Sequence, residues 1–373
     1  MKICFFVLSL EKGGTEIYLL RFLRYFLKNN KAEVTVFCKG NLGGSLLTEF
    51  EELGINIVLA KVSYFNIFGI TSIARHVKGK DAVCDLTGNF SGMPMLISWI
   101  FKVQKRISFY RASTNHFKPS PLKNTYNRFF NYLVYRFSTD ILSNSKAAFN
   151  FFFNSKHTND NRFKVVPNGF GERELINETN ETNENTSQEL RTRYGIPLDK
   201  IIIGHVGRYN QAKNFPFIFQ VIKEFSRQEY KNIHFVFCGR GTDSAAFKGE
   251  LEQLGIDSFC SFLGSQNKIL EIYQCYDLFF FPSITEGQPN ALIEAMVMGI
   301  PFIAADIPPI RECIPKEAMS QLITLNSSKN ALNELVAILN ESNKEKYIHK
   351  KWAIDYFKPK KRFEQFAKVI RGY

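Results

Sequence analysis

The chain of 373 residues lacks any apolar run approaching the roughly 20 residues that a membrane-spanning helix requires. Residues 2–10, KICFFVLSL, have the look of a secretory leader's apolar core. No cleavage site follows them, and they lead into Glu11, Lys12, Gly13 and Gly14, so a buried first strand is expected. Cysteine is sparse and scattered: seven residues, an odd number, with no C-x-x-C pair, which argues against a disulfide framework. No Asp-x-Asp pair is present, so neither a metal nor another cofactor is expected. These absences favour a cytoplasmic protein.

Negative charge is missing from one part only. Residues 1–168 hold 23 Lys and Arg against 10 Asp and Glu, whereas the remainder holds 25 of each. The whole formal charge of +13 therefore lies in the first part. Residues 101–168 alone carry 12 basic and 2 acidic residues among many Phe and Tyr. Three readings are open: phosphate contacts and base stacking on nucleic acid, attraction to an anionic membrane, or solvated lysines over an aromatic core.

What is present points to two well-filled α/β domains, since the length exceeds one ordinary domain and 45% of residues are hydrophobic. The most informative stretch is 281–304, FPSITEGQPNALIEAMVMGIPFIA. Residues 277–281 read as a strand buried on both faces. Pro282 and Ser283 stop it, Gly287 is expected to give the turn its freedom, and Pro289 is expected at the first helical position. Leu292, Ile293, Ala295, Met296 and Met298 supply apolar faces, and Gly299 and Pro301 close the helix before the next strand. In the first helical turn the amides of Asn290, Ala291 and Leu292 would reach no carbonyl, making an anion site fit for a diphosphate. Glu286 in the loop and Glu294 in the helix could each accept bonds from vicinal hydroxyls.

Strand and helix patterns alternate elsewhere. Strands are expected at 34–38, 55–59, 82–86 and 106–110, the segments 141–145 and 165–169 complete the first part, and strands follow at 201–206, 234–238 and 259–264. Residues 92–101 and 122–137 read as helices. Residues 177–188, NETNETNENTSQ, are low-complexity and read as a mobile surface loop. Residues 351–373 read as one terminal helix. Gly13 and Gly14 precede the first helix, Arg208 and Lys213 follow the strand at 201–206, and Gly239 opens a Gly-x-Gly loop after that at 234–238. Arg208 and Lys213 could neutralise a diphosphate.

In Glu286, Pro289, Glu294, Ala295, Gly299 and Pro301 the chain resembles the retaining glycosyltransferases of family four, which have the GT-B fold. Their mark is E-x-x-P-x-x-x-x-E-A-x-x-x-G-x-P. It is accompanied here by Gly13, Gly14 and Glu16 after the first strand, by Gly207, Arg208, Lys213 and Asn214, and by the turn Pro167, Asn168 and Gly169. The resemblance implies two doubly wound, Rossmann-like domains facing across a cleft. They would be an acceptor domain (1–168), a nucleotide-sugar domain (169–350) and a terminal helix (351–373) crossing back.

By that resemblance Glu294 holds the donor ribose, Glu286 contacts the donor sugar, and Arg208 and Lys213 take the pyrophosphate. Gly13, Gly14, Gly239, Gly287, Pro289, Asn290 and Ala291 line the donor. Family members usually place a histidine after the strand at 106–110. Here Arg111 stands closest and His116 a few residues later, and His116 is carried as the catalytic candidate. The expected activity is retaining transfer of a hexosyl or N-acetylhexosaminyl group, from a UDP-sugar in first place, to a glycan or lipid-linked acceptor. Bacterial surface polysaccharide or O-antigen synthesis is the expected setting, at the inner face of the membrane. This reading excludes nucleic acid as the partner. A GT-B nucleotide-sugar epimerase and a non-enzymatic basic membrane-binding protein are the alternatives.

Overall fold

Nearly every long apolar run of the sequence is a strand in the computed structural model, and the strands form two separate parallel sheets. All residues are described except 41–42, 63–66, 113–119, 170–183, 229 and 373. The chain divides into two compact units, Met1–Glu172 with Phe357–Tyr373, and Arg173–Tyr356.

The first unit is built on β1 (Lys2–Val7), β2 (Glu33–Cys38), β3 (Asn56–Leu59), β4 (Ala82–Asp85), β5 (Lys105–Tyr110), β6 (Asp140–Ser143) and β7 (Phe163–Val165). Their order is β3-β2-β1-β4-β5-β6-β7, so the winding reverses between β1 and β4. The expected strand over 2–10 is shorter, because Leu8 has left the sheet and is exposed. In the segments 141–145 and 165–169 the strands end at Ser143 and Val165, and Asn144, Ser145, Pro167 and Asn168 are loop.

Both faces of this sheet are covered, which is why its strands are apolar throughout rather than alternating. On one face the helix Gly14–Asn29 brings Tyr18, Phe22 and Phe26 onto Phe5 and Phe109. The terminal helix Pro359–Arg371 packs there too, with the Phe22 and Phe366 ring centroids 4.4 Å apart. The helix expected over 351–373 is in fact two. Lys350–Tyr356 stays with the second unit, and Pro359, which has no amide to continue a helix, starts the second.

The second unit carries β8 (Ile201–Val206), β9 (Ile233–Cys238), β10 (Cys260–Gly264), β11 (Leu278–Phe281), β12 (Phe302–Ala305) and β13 (Leu322–Ile323), in the order β10-β9-β8-β11-β12-β13. The helices Phe215–Arg227 and Ser328–Asn340 bury Phe215, Ile218, Phe219 and Leu335 in one core with Phe235, Phe237 and Phe280. The low-complexity stretch 177–188 is described from 184 onward, and there it is helix, Glu184–Arg193, rather than loop. Tertiary contacts order this polar segment: Ser187 donates to the Gln274 carbonyl at 2.9 Å, and Arg191 pairs with Asp277 at 2.9 Å.

Candidate functional site

In the second sheet the winding reverses between β8 and β11, and open parallel sheets bind ligands at the carboxyl ends beside such a point. β8 runs out into Gly207 and Arg208. The Gly207 amide donates to Cys238 O at 2.9 Å, Tyr209 to Arg240 O at 2.9 Å, and Gly239 to Gly264 O at 2.7 Å. The loops after β8, β9 and β10 are thereby tied into one floor. Gly239 is required in it: its φ is +139°, and a Cβ there would sit 2.2 Å from the Gly207 carbonyl oxygen.

Arg208 is exposed in this floor, while Lys213 folds back over it. Asn210 caps the short turn Gln211–Lys213, and Asn214, left-handed at φ 56°, redirects the chain into the helix Phe215–Arg227. Gly207 leaves room for the Lys213 stem, since a Cβ at 207 would lie 2.9 Å from Lys213 Cγ. Lys213 Nζ reaches Glu286 Oε1 at 2.6 Å and lies 4.5 Å from the centre of the Phe281 ring. Two residues 73 apart in sequence are therefore joined as one largely buried ion pair. The Ile284 amide, bonded to Ala212 O at 2.9 Å, holds the two loops in register.

Behind the pair His205 is wholly buried in β8. Burial pulls its pKa down to about 3, with Lys213 adding to the shift and the bond to Phe280 O opposing it. Its Nδ1 lies 2.9 Å from the Phe280 carbonyl, which can only accept, so the proton is on Nδ1. The site thus has a neutral back wall. Burial, with Glu286 the foremost charge, likewise pushes the Cys313 thiol up and keeps it protonated.

The loop after β11 leads to the helix Asn290–Met298. Two expectations are corrected here. Pro289 is the N-cap rather than the first helical residue. Gly287 is not among the left-handed glycines, so the turn does not depend on its freedom. The open first turn is also narrower than expected, because the Asn290 amide donates to Gln288 O at 3.0 Å. The amides of Ala291 and Leu292 remain without a carbonyl in the helix, and Ile293 begins the ladder by donating to Pro289 O at 3.1 Å.

Glu294 is one turn further in, held by a residue that the sequence did not single out. The buried phenol of Tyr273 lies 3.1 Å from Glu294 Oε2 and 2.9 Å from the Ala291 carbonyl, and its one proton is shared between these two acceptors. Burial, reinforced by Glu294, raises the Tyr273 pKa well above its usual value, so it stays a donor. A polar-tipped aromatic at the buried end of the short helix Ile269–Tyr273 is the sequence signal of this role.

In the first unit Gly13 is the N-cap of the helix Gly14–Asn29, in an extended conformation, and offers no side chain to the first turn. Arg111 follows β5, its guanidinium carbon 3.8 Å from the centre of the Tyr18 ring. Burial lowers its pKa to about 10, while Tyr18 and Glu16 act the other way. His116 lies outside the described residues. Among the described residues no group of three or more His, Cys, Asp or Glu is placed to hold a metal ion.

Residues 186–352 match the family model described as glycosyl transferases group 1. The chain is 27% identical over 290 residues to the capsular polysaccharide biosynthesis glycosyltransferase CapH of Staphylococcus aureus, covering 77% of this chain and 76% of CapH. It is 29% identical over 177 residues to a Bacillus subtilis protein described as a glycosyltransferase, EpsF, but this match spans 48% of the chain and only 44% of EpsF. Among solved structures, Anabaena HepE in complex with UDP and glucose matches over all of both chains, with a TM-score of 0.81 at 20% identity. WaaG, a glycosyltransferase involved in lipopolysaccharide biosynthesis, gives 0.70 at 15%. The structural likenesses establish the fold: two Rossmann-like domains of the GT-B type. The family match and the curated relatives support a group 1 glycosyltransferase in the stretch that carries them.

Proposed function

We propose that this protein is a retaining glycosyltransferase of family four. It moves a hexosyl or N-acetylhexosaminyl group from a nucleotide-diphosphate sugar to a glycan or lipid-linked acceptor in bacterial surface polysaccharide synthesis. The observation that carries this reading is the convergence of Lys213, Glu286 and the open turn before Glu294 at the β8/β11 reversal. UDP is the favoured nucleotide, in keeping with HepE, which was solved with UDP-glucose.

Each group has a role in that chemistry. Glu294, aimed by Tyr273, accepts from the two ribose hydroxyls. Arg208, Lys213 and the amides of Ala291 and Leu292 take the diphosphate and stabilise the charge that grows as it leaves. They do the work of a divalent cation, so none is required. Glu286 is paired with Lys213 before the donor arrives, and a diphosphate drawing Lys213 toward itself releases Glu286 to the sugar hydroxyls. No side chain in the group is an obvious covalent nucleophile, and front-face attack by the acceptor accounts for retention.

A membrane-facing first unit fits this role. Phe129 and Tyr132 are 54% and 58% exposed, on the same helix face as the exposed Arg128 and Arg136. The exposed Trp99, Ile100 and Phe101 end the neighbouring helix Gly92–Ile100, and the Trp99 ring centre lies 5.1 Å from that of Phe137, the rings tilted at 45°. No helix among the described residues is long and apolar enough to cross a membrane. Peripheral attachment to the inner face, with the protein otherwise cytoplasmic, is the arrangement proposed.

A thermal-shift series with UDP-, GDP- and ADP-sugars, in chelator and without added metal, tests the reading. One sugar nucleotide should raise the melting temperature by mass action, and Glu294→Gln should abolish the rise. No shift with any of the three, or an undiminished shift in Glu294→Gln, overturns the assignment.

A further inference from the structure

The first unit holds a cation that the chemistry above does not use. Nε and Nη1 of Arg111 are shut off from solvent and, among the described residues, meet no hydrogen-bond acceptor. The guanidinium is stacked between rings, 3.8 Å from the centre of Tyr18 and 5.0 Å from that of Phe109. The Tyr18 hydroxyl is also buried without a partner.

Arg371 of the same unit also has a buried, unmatched Nε, but its two terminal nitrogens are bonded to Asn30 and Glu364, and two other arginines are matched more fully. Arg106 donates Nε to the Phe137 carbonyl at 2.7 Å and Nη1 to the Val103 carbonyl at 2.6 Å. Arg162 gives Nη2 to Asp160 at 2.7 Å and Nη1 to the Tyr135 carbonyl at 2.7 Å. Their N–H groups are matched to backbone or carboxylate. Two buried guanidinium donors left unmatched on a half-buried arginine are a costly arrangement, and folds retain such exceptions where a ligand completes them.

The surroundings define the ligand. Arg111 emerges at the carboxyl end of β5, the edge at which parallel sheets bind substrates. Tyr18, on which it rests, lies one turn into the helix Gly14–Asn29, whose Gly13 N-cap leaves the first amides and the positive end of the dipole open. Glu16, in that same turn, is close enough for its charge to act on Arg111. Diffuse negative charge therefore gains little there, whereas an oxyanion that hydrogen-bonds the guanidinium directly gains most.

We infer that Arg111 and the open first turn of this helix form a subsite for a compact oxyanion, a phosphate or a carboxylate, carried by the acceptor. The inference rests on the transferase reading, whose acceptor class it narrows. Arg111 acts there as a binding and specificity residue, its planar fork matched to two oxygens of the anion.

Two ligand pairs separate the sources of the anion: N-acetylglucosamine 1-phosphate against N-acetylglucosamine, and methyl glucuronide against methyl glucoside. Binding is followed by ligand-observed NMR in the presence of excess UDP, which occupies the diphosphate site of the second unit. The wild type should hold the charged member of one pair about tenfold more tightly than the neutral member. Arg111→Met should erase that preference while melting no lower than the wild type, since it removes two buried, unmatched donors and keeps the packing on Tyr18. Arg111→Lys, which keeps the charge but not the fork, should retain only part of the preference and serves if the methionine variant folds poorly. A wild type that prefers neither charged ligand overturns the proposal. So does a preference unchanged in both variants, the result expected of a purely structural arginine. Failure of UDP to bind, read separately by thermal shift, counts against the transferase reading and not against the subsite.

Discussion

Tyr273 and Glu294 show how one hydroxyl sets a carboxylate. The Tyr273 phenol, 3.1 Å from Glu294 Oε2, restricts a carboxylate that otherwise has several rotamers. Tyr273→Phe keeps the ring among Tyr276 and Phe279 and removes only the hydroxyl, with its bonds to Glu294 and to the Ala291 carbonyl. The expected loss is about 1 kcal/mol of nucleotide affinity, near fivefold, appearing in KM for the donor with kcat little changed. Unaltered donor KM would show that Glu294 is held by other contacts. His205 makes a second prediction. Unfolded, it takes a proton near pH 6.5; folded, it resists until about 3. Between those values the unfolded state binds the extra proton, so this histidine's contribution is present above pH 6.5 and is lost as the pH falls. His234, lowered by burial to about 4, acts in the same direction. His205→Leu, surrounded by Phe215, Phe237 and Phe281, should flatten the decline by up to about 1.4 kcal/mol per pH unit. Urea midpoints at pH 7, 5 and 4 measure it; parallel slopes for both proteins would contradict it.

At the scale of elements, the terminal helix Pro359–Arg371 is an integral part of the first unit. Phe366 touches Phe5, Tyr18, Phe22 and Phe109. Phe366→Ala should cost about 3–5 kcal/mol, and differential unfolding should place that loss in the first unit while nucleotide binding by the second persists. A loss below about 1 kcal/mol would mean that the helix is dispensable to that core. The same helix marks the limits of reading a sequence. Strands announced themselves as unbroken apolar runs, and the Glu286-to-Glu294 segment was legible because proline and glycine punctuate it within a few residues. Local pattern did not reveal that Pro359 breaks the last helix, nor that Pro289 caps its helix from outside. Lys213 with Glu286, Tyr273 with Glu294 and the unmatched donors of Arg111 are products of packing between distant segments. Residue spacing names such groups as candidates but does not say which partner each one takes. The helix Glu184–Arg193 makes the converse point: a polar, low-complexity sequence is ordered there by Gln274 and Asp277, residues it meets only in the fold.

Across the whole molecule, the basic excess is confined to residues 1–168, while the remaining residues carry 25 basic and 25 acidic side chains. A basic donor site alone would have put the charge in the second unit, so the asymmetry requires another cause. The face formed by Arg128, Phe129, Tyr132 and Arg136, with Trp99 and Ile100 beside it, combines cations with exposed amphipathic rings. Rings enter the interface of a bilayer, and each cation near an anionic surface contributes about 1 kcal/mol. Vesicles containing anionic lipid should therefore float the protein, neutral vesicles should not, and raising the salt to 0.5 M should release most of it. Arg128→Ala with Arg136→Ala should weaken binding by roughly 10–30-fold at low salt without altering the UDP-induced thermal shift. Trp99→Ser with Tyr132→Ser should weaken it at every salt concentration, because the apolar part is unscreened. Equal flotation with neutral vesicles, or variants indistinguishable from the wild type, would leave the asymmetry as solvated surface charge over an aromatic core. Salt-sensitive, ring-dependent binding would instead place the first unit at the lipid surface, where the proposed lipid-linked acceptor would lie.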